Sequence, residues 1–179
     1  MKLGDPAMDS TNHAKLEKAL FGETTCILDA SASTRVNQYV AETAQLQGIP
    51  YVWMYATNGG WGGLVGIAAP SRDKFCWMCH LYFLHDQTID ALPHAPEDNL
   101  IQPPGCLDPT FTGSQVDLTE VSLMAPRVVM DQVMASKTGA SSAYPWNVAT
   151  LQLRDQDGHP HLPVWTPYAS PPHANCPNH

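Results

Sequence analysis

The chain is short of charge. Only 15% of its 179 residues are Asp, Glu, Lys or Arg, and only 9 are Lys or Arg. Those nine gather into no patch, and the net charge is -8. That balance excludes a nucleic-acid backbone or an anionic membrane surface as a partner. No apolar run approaches the roughly 20 residues of a membrane-spanning helix. The polar opening residues contain no apolar stretch of the kind a secretory signal needs. There is no internal repeat and no GxGxxG motif. The Gly-rich Asn58-Gly59-Gly60-Trp61-Gly62-Gly63 lacks the Lys-Ser/Thr of a phosphate-binding P-loop, and strand-like residues follow it rather than a helix. A main phosphate cradle is therefore missing. Five cysteines, an odd number with one close pair, do not form the pattern of a disulfide framework. They fit a metal site in a reducing compartment, so the expected localisation is cytoplasmic.

What is present describes one folded unit. A hydrophobic share of 44% over this length suffices for a single core. Residues 1–23 read as a flexible lead-in with a short helix over 13–21, stopped by Gly22. Residues 24–179 read as one α/β domain. The apolar, β-branched run at 24–30 predicts a buried strand. Val36, Val40, Thr43, Ala44 and Gln47 share one face of a predicted helix ending at Gly48. A second strand follows Pro50, over residues 51–56. Strand, helix and strand in this order imply a parallel pair with a right-handed crossover. A Gly-rich turn leads to a return strand over 64–69. Residues 85–112 form a long Pro-rich loop, a length usually associated with function or mobility. Asp117 to Glu120 resembles a capping box, opening a helix with Leu118, Val121, Met124, Ala125, Val128 and Val129 as its stripe. Pro126 predicts a kink or break in that helix. Residues 146–153 predict a strand turning at Asp157-Gly158, and residues 160–179 read as a Pro-rich tail.

Chemistry concentrates in the cysteines and histidines. Two ligands separated by two residues can sit on one tight turn and face a single ion. Cys76 and Cys79 have that spacing, and Cys176 with His179 repeats it. Together they predict a closed four-ligand structural zinc site pinning the tail to the domain body. Thiolate and imidazole donors favour zinc over hard cations. His173, His80 or a water are alternatives for the fourth ligand, because His179 is the last residue. A redox dithiol or plain buried thiols are the rival readings of Cys76 and Cys79. The pair is expected to follow a strand, whereas redox pairs usually open helices. His85, His94, His159 and His161, and His80 unless it is a ligand, read as surface or loop residues. Cys26 reads as core. Cys106, alone on the long loop ahead of a helix, is either an accessible nucleophile or a small packed residue. Asp29 stands at a strand's carboxyl end, where α/β sheets meet ligands, and either contacts a cofactor or caps the next helix.

The order of these features is more specific than any one of them. ILDASAS at a strand end, a helix, GIPYVWMYA, the Gly-rich hairpin, CWMC, PPGCLDPTFTG, a helix, a strand and CPNH follow one another. This succession resembles the later half of the ThiF/MoeB/HesA superfamily, relatives of the ubiquitin-activating enzymes, from about residue 24 to the end. The resemblance implies a partial Rossmann-like, ThiF-type sheet with a structural zinc site. It implies an enzyme that uses ATP and magnesium to adenylate the C-terminal Gly-Gly of a ubiquitin-like or sulfur-carrier protein, with homodimerisation common. By the same resemblance Cys76 and Cys79 match the first zinc pair, and Cys176 and His179 the second, with His179 in place of a usual cysteine. Cys106 matches the reactive cysteine. Asp29 matches the first acid of an Asp-x-x-Asp stretch whose second, magnesium-linked acid falls at Ala32. The family's Gly-rich loop and its ATP-contacting Arg and Lys have no counterpart here. The chain by itself is therefore expected to be inactive in adenylation. The alternative expectation is a non-catalytic, zinc-stabilised module that recognises a ubiquitin-like protein or dimerises.

Overall fold

The computed structural model describes residues 10–31, 33–71, 73–97, 100–101, 110–111 and 113–179. Of the flexible lead-in expected ahead of the helix at 13–21, residues 1–9 lie outside the described residues, as does Cys106, and residues 10–12 belong instead to the first helix. Helix α1 spans Ser10–Phe21 and is followed by the short strand β1, Ile27–Asp29. Helix α2, Thr34–Gln47, leads to strand β2, Tyr51–Ala56. A 3-10 turn at Asn58–Gly60 connects β2 to strand β3, Gly62–Ala68. Helix α3 spans Trp77–His85, and a small ribbon pairs β4, Leu100–Ile101, with β5, Thr110–Phe111. Helix α4 spans Gln115–Thr138, and strands β6, Val148–Arg154, and β7, Pro160–Tyr168, close the chain.

The main sheet has the order β1-β2-β3-β6-β7. β1 and β2 are parallel, with Ile27 opposite Tyr51 and Asp29 opposite Trp53, as the strand–helix–strand reading requires. Every other pairing is antiparallel. The fold is therefore mixed α/β around a mixed five-stranded sheet. Gly48 ends α2 in the left-handed conformation, φ 70°, which a side chain would strain.

β2 carries apolar residues on both faces because it is covered on both. Tyr51 and Trp53 point into a cluster with Val40, Ala44, Trp77 and Cys79 from α2 and α3. Val52 and Met54 point the other way, toward Ala125 and Val128 of α4. Val121, Ala125, Val128 and Gln132 form the buried stripe of α4, close to the predicted face. The helix opens two residues before the expected capping box, with Ser114 as its N-cap accepting from the Val116 amide.

Three expectations need correction. Pro126 does not break α4, which runs through it. Pro126 and Ser122 are both on the exposed side, so the carbonyl left without its amide partner faces water. The tail is not all loop: residues 160–168 form β7, whose prolines at 160, 163 and 167 are tolerated because it is an edge strand. The long loop is also tied down in part. Thr57 Oγ1 donates to the Pro93 carbonyl at 2.6 Å, Asn58 Nδ2 donates to the Ala95 and Pro96 carbonyls at 2.9 Å each, and Ile89 is buried.

The close approach of β3 to the Trp53 ring produces a test. A Cβ built on Gly66 would lie 2.1 Å from the Trp53 indole. Gly66→Ala should therefore lower unfolding stability by about 1–3 kcal/mol, read as a lower urea midpoint at unchanged slope. An unchanged midpoint would show that the indole moves aside without cost.

Candidate metal centre

Cys76 is the N-cap of α3, in extended conformation, and Cys79 lies in the first turn of that helix. The expectation that the pair follows a strand is thus corrected: it opens a helix. The apolar WMCHLYFLH segment forms that helix because it is packed between the sheet and α2, with Trp77, Cys79 and His80 buried. This setting removes one argument against a redox dithiol, since a helix start is where thiol pKa values are lowered. A third sulfur supplies the stronger argument. Cys176 Sγ lies 3.6 Å from Cys76 Sγ, the same separation as Cys76 Sγ to Cys79 Sγ. His179 Nε2 completes the group, 3.0 Å from Cys79 Sγ.

These distances suit one shared ion. A disulfide would bring two sulfurs to roughly 2.05 Å. Two sulfurs on one tetrahedral ion at about 2.3 Å lie roughly 3.8 Å apart. All four ligand atoms lie within 4.8 Å of one another, and the three cysteines are buried while His179 is exposed. The four residues form a Cys3His cluster whose geometry is compatible with a metal site.

The surroundings point amides at the sulfurs. The His173 backbone N–H donates to Cys79 Sγ at 3.3 Å, and Asn178 Nδ2 approaches Cys76 Sγ at 3.8 Å. Such bonds favour the thiolate over the thiol. Burial acts in the opposite direction. It pushes the Cys76 thiol up, and the Cys176 thiol up to about 12. Without a cation those thiols hold their protons at neutral pH, and a metal must displace them.

His173 and His80 are not in the cluster. His173 is buried, stacked on Tyr82 with ring centroids 5.0 Å apart. Its Nδ1 accepts from the Asn175 amide at 3.1 Å, so Nε2 carries the proton donated to Asp86 Oδ2 at 2.9 Å. It fixes the tail beside α3 rather than binding the ion. His80 was expected at the surface or as a spare ligand, and it is instead 1% exposed. Both of its ring nitrogens lack a hydrogen-bond partner. Burial lowers its pKa to about 4, so it is neutral. An unpartnered buried polar group of this kind costs about 1–3 kcal/mol. Nothing local in the sequence signals this, since burial at position 80 arises from packing against Trp53 and Tyr55.

Asp29 is buried at the end of β1. Its Oδ1 accepts from the Ser31 amide at 2.8 Å, and its Oδ2 accepts from Asn37 Nδ2 at 2.8 Å and from the Tyr51 hydroxyl at 3.0 Å. The carboxylate thereby ties β1, α2 and β2 together, a network the sequence reading did not foresee. A second acidic group, Asp155, Asp157 and His159, is fully exposed. Asp155 Oδ1 accepts from the amides of Asp157 and His159, which makes the group the turn between β6 and β7. Among the described residues no helix is long and apolar enough to cross a membrane.

The chain matches no known protein-family model. It is similar to two uncharacterized proteins of Sinorhizobium fredii (strain NBRC 101917 / NGR234). One, y4oA, is 31% identical over 159 residues, 89% of this chain and 26% of its own length. The other, y4qC, is 28% identical over 130 residues, 70% of this chain and 21% of its own length. The chain thus spans about a quarter of the length of these curated relatives.

Because burial holds the Cys76 and Cys176 thiols protonated when metal-free, metal binding should release protons and strengthen as pH rises. Calorimetric zinc titrations of the stripped protein, run in buffers of different ionisation enthalpy, should report up to about three protons released per ion. Binding without proton release would contradict the thiolate assignment.

Proposed function

We propose that this chain is the C-terminal portion of a ThiF-like activating protein, with a structural zinc at Cys76, Cys79, Cys176 and His179. The observation that carries the reading is the Cys3His cluster joining the start of α3 to the tail, behind a parallel β1-α2-β2 unit. Helices on both faces of the sheet support a Rossmann-like ancestry for that unit. Four protein ligands leave no open position for water, so the zinc holds the scaffold and takes no part in chemistry. In the intact protein, ATP and magnesium bound upstream would activate the C-terminal Gly-Gly carboxylate of a ubiquitin-like or sulfur-carrier protein. Cys106 would then take the acyl group from the resulting acyl-adenylate as a thioester, with AMP and the thiol proton leaving. Free thiols and a zinc clip suit a cytoplasmic protein.

A second reading has its own support. Ala32 stands where the family has its magnesium-linked acid, and Asp29 is already engaged by three donors. That favours a zinc-stabilised module that recognises a ubiquitin-like protein or dimerises without chemistry.

Two measurements test these readings. Purified protein should carry about one zinc per chain, and Cys176→Ser should lose both the metal and cooperative unfolding. A metal-free, well-folded wild type would sink the zinc assignment. ATP–pyrophosphate exchange should be absent in the isolated chain, while a Gly-Gly-tailed ubiquitin-like protein should shift backbone NMR signals near the zinc. Robust exchange would show that the missing phosphate loop is supplied in another way, and unchanged spectra would remove the recognition role.

A further inference from the structure

Three connecting segments meet at the end of the sheet where β3 finishes and β6 begins. They are the residues leading into α3, the link from α4 to β6, and the tail beyond β7. Between them lies a cavity of about 390 Å³. That volume is within the range of small-molecule sites. Ile67, Phe75, Tyr144 and Trp146 give it an apolar, largely aromatic wall, and Pro171 and Pro172 line it from the tail.

The buried stripe of α4 reaches this cavity with a polar residue. Val121, Ala125 and Val128 are apolar, but the next position along the stripe is Gln132, 8% exposed. Its Nε2 donates to Asp131 Oδ2 at 3.4 Å, which fixes the orientation of the amide. Its Oε1 accepts from no described residue and, unlike the His80 nitrogens, is not sealed from solvent. The neighbouring polar groups are already engaged. Ser142 donates to Asp131 and accepts from the Tyr144 amide, and Asn147 pairs at both ends with the Ser170 backbone. The charged lining residues, Asp73 and Lys74, are exposed and of opposite sign.

We infer that this cavity binds a free aromatic amino acid whose ring carries a hydrogen-bond donor. The ring lies against Phe75 and Trp146, and its N–H or O–H donates to Gln132 Oε1. The ammonium and carboxylate stay at the rim with Asp73 and Lys74. Rim charges of both signs match a zwitterion, whereas a simple acid or amine would meet one like charge. Aromatic walls favour a ring, because edge-to-face packing adds to its burial. The lone acceptor selects for a donor, since a ring without one would cover Oε1 and leave it unanswered. None of the four cluster residues lines the cavity, and the inference does not depend on the ThiF-like reading.

L-Tryptophan is the probe. L-Phenylalanine, without the ring donor, and indole, without the charged head, are the contrasts. Uniformly 15N-labelled protein as purified is titrated with each and followed by NMR. L-Tryptophan should move the Trp146 indole N–H and Gln132 side-chain amide signals saturably. Each contrast should bind at least about threefold more weakly. Gln132→Met keeps the volume and removes the acceptor. It should weaken L-tryptophan about three- to tenfold and leave L-phenylalanine unchanged, a difference that a general loss of packing would not give. Ser170→Trp fills the cavity from the tail side and retains both hydrogen bonds to Asn147, which the Ser170 backbone makes. It should abolish the response. The inference is overturned by no saturable shift up to about 20 mM L-tryptophan. It is equally overturned if either contrast binds as tightly as L-tryptophan, if Gln132→Met weakens both amino acids alike, or if the Ser170→Trp protein binds as the wild type does.

Discussion

Three buried sulfurs within bonding reach of one point are the constraint on which this end of the molecule depends. Cys76, Cys79 and Cys176 have no disulfide to form at 3.6 Å separations, and burial opposes their ionisation. A cation bound among them would displace the thiol protons and turn the sulfurs into ligands. The cluster joins positions 100 residues apart, so a cation bound there would hold the tail against α3. His173 reinforces the same junction from the side by bonding Asp86 and stacking on Tyr82. The cluster and the imidazole clamp thus meet at the same junction between the tail and α3.

That arrangement separates the scaffold from whatever chemistry the longer protein performs. The cluster is closed, and the Asp29 carboxylate is engaged in joining β1, α2 and β2. Among the described residues of this part of the core, the His80 ring nitrogens and the neighbouring Trp53 Nε1 are buried without a hydrogen-bond partner. Evolved cores seldom tolerate an imidazole with neither nitrogen paired, because water or a ligand ordinarily answers it.

The legibility of the sequence follows from the range of the forces involved. The ligand pairs were readable because a two-residue spacing is a local geometric rule. The parallel pair was readable because β-branched runs, helix periodicity, Gly48 and Pro50 agree with one another. The start of α3 was not, since WMCHLYFLH is apolar on nearly all sides and shows no helical stripe. Pro126 misled because the hydrogen bond it removes falls on the exposed side of α4, where water can answer the freed carbonyl. The β7 strand was hidden by its prolines, which mark loops everywhere except at a sheet edge. The burial of His80 and the Asp29–Asn37–Tyr51 network are tertiary outcomes without a short-range signature. Cys106 falls outside the described residues, so the sequence reading of it stands alone.

The prolines of β7 have a consequence for assembly. An edge strand that lacks amide donors at 160, 163 and 167 is a poor template for another strand, even with Leu162 and Val164 exposed. The opposite edge is β1, proline-free and parallel to its neighbour. Its three residues offer little ladder to an incoming strand, so the two edges are guarded by different means, proline on one side and brevity on the other. Both margins of the same five strands thus discourage strand-to-strand association.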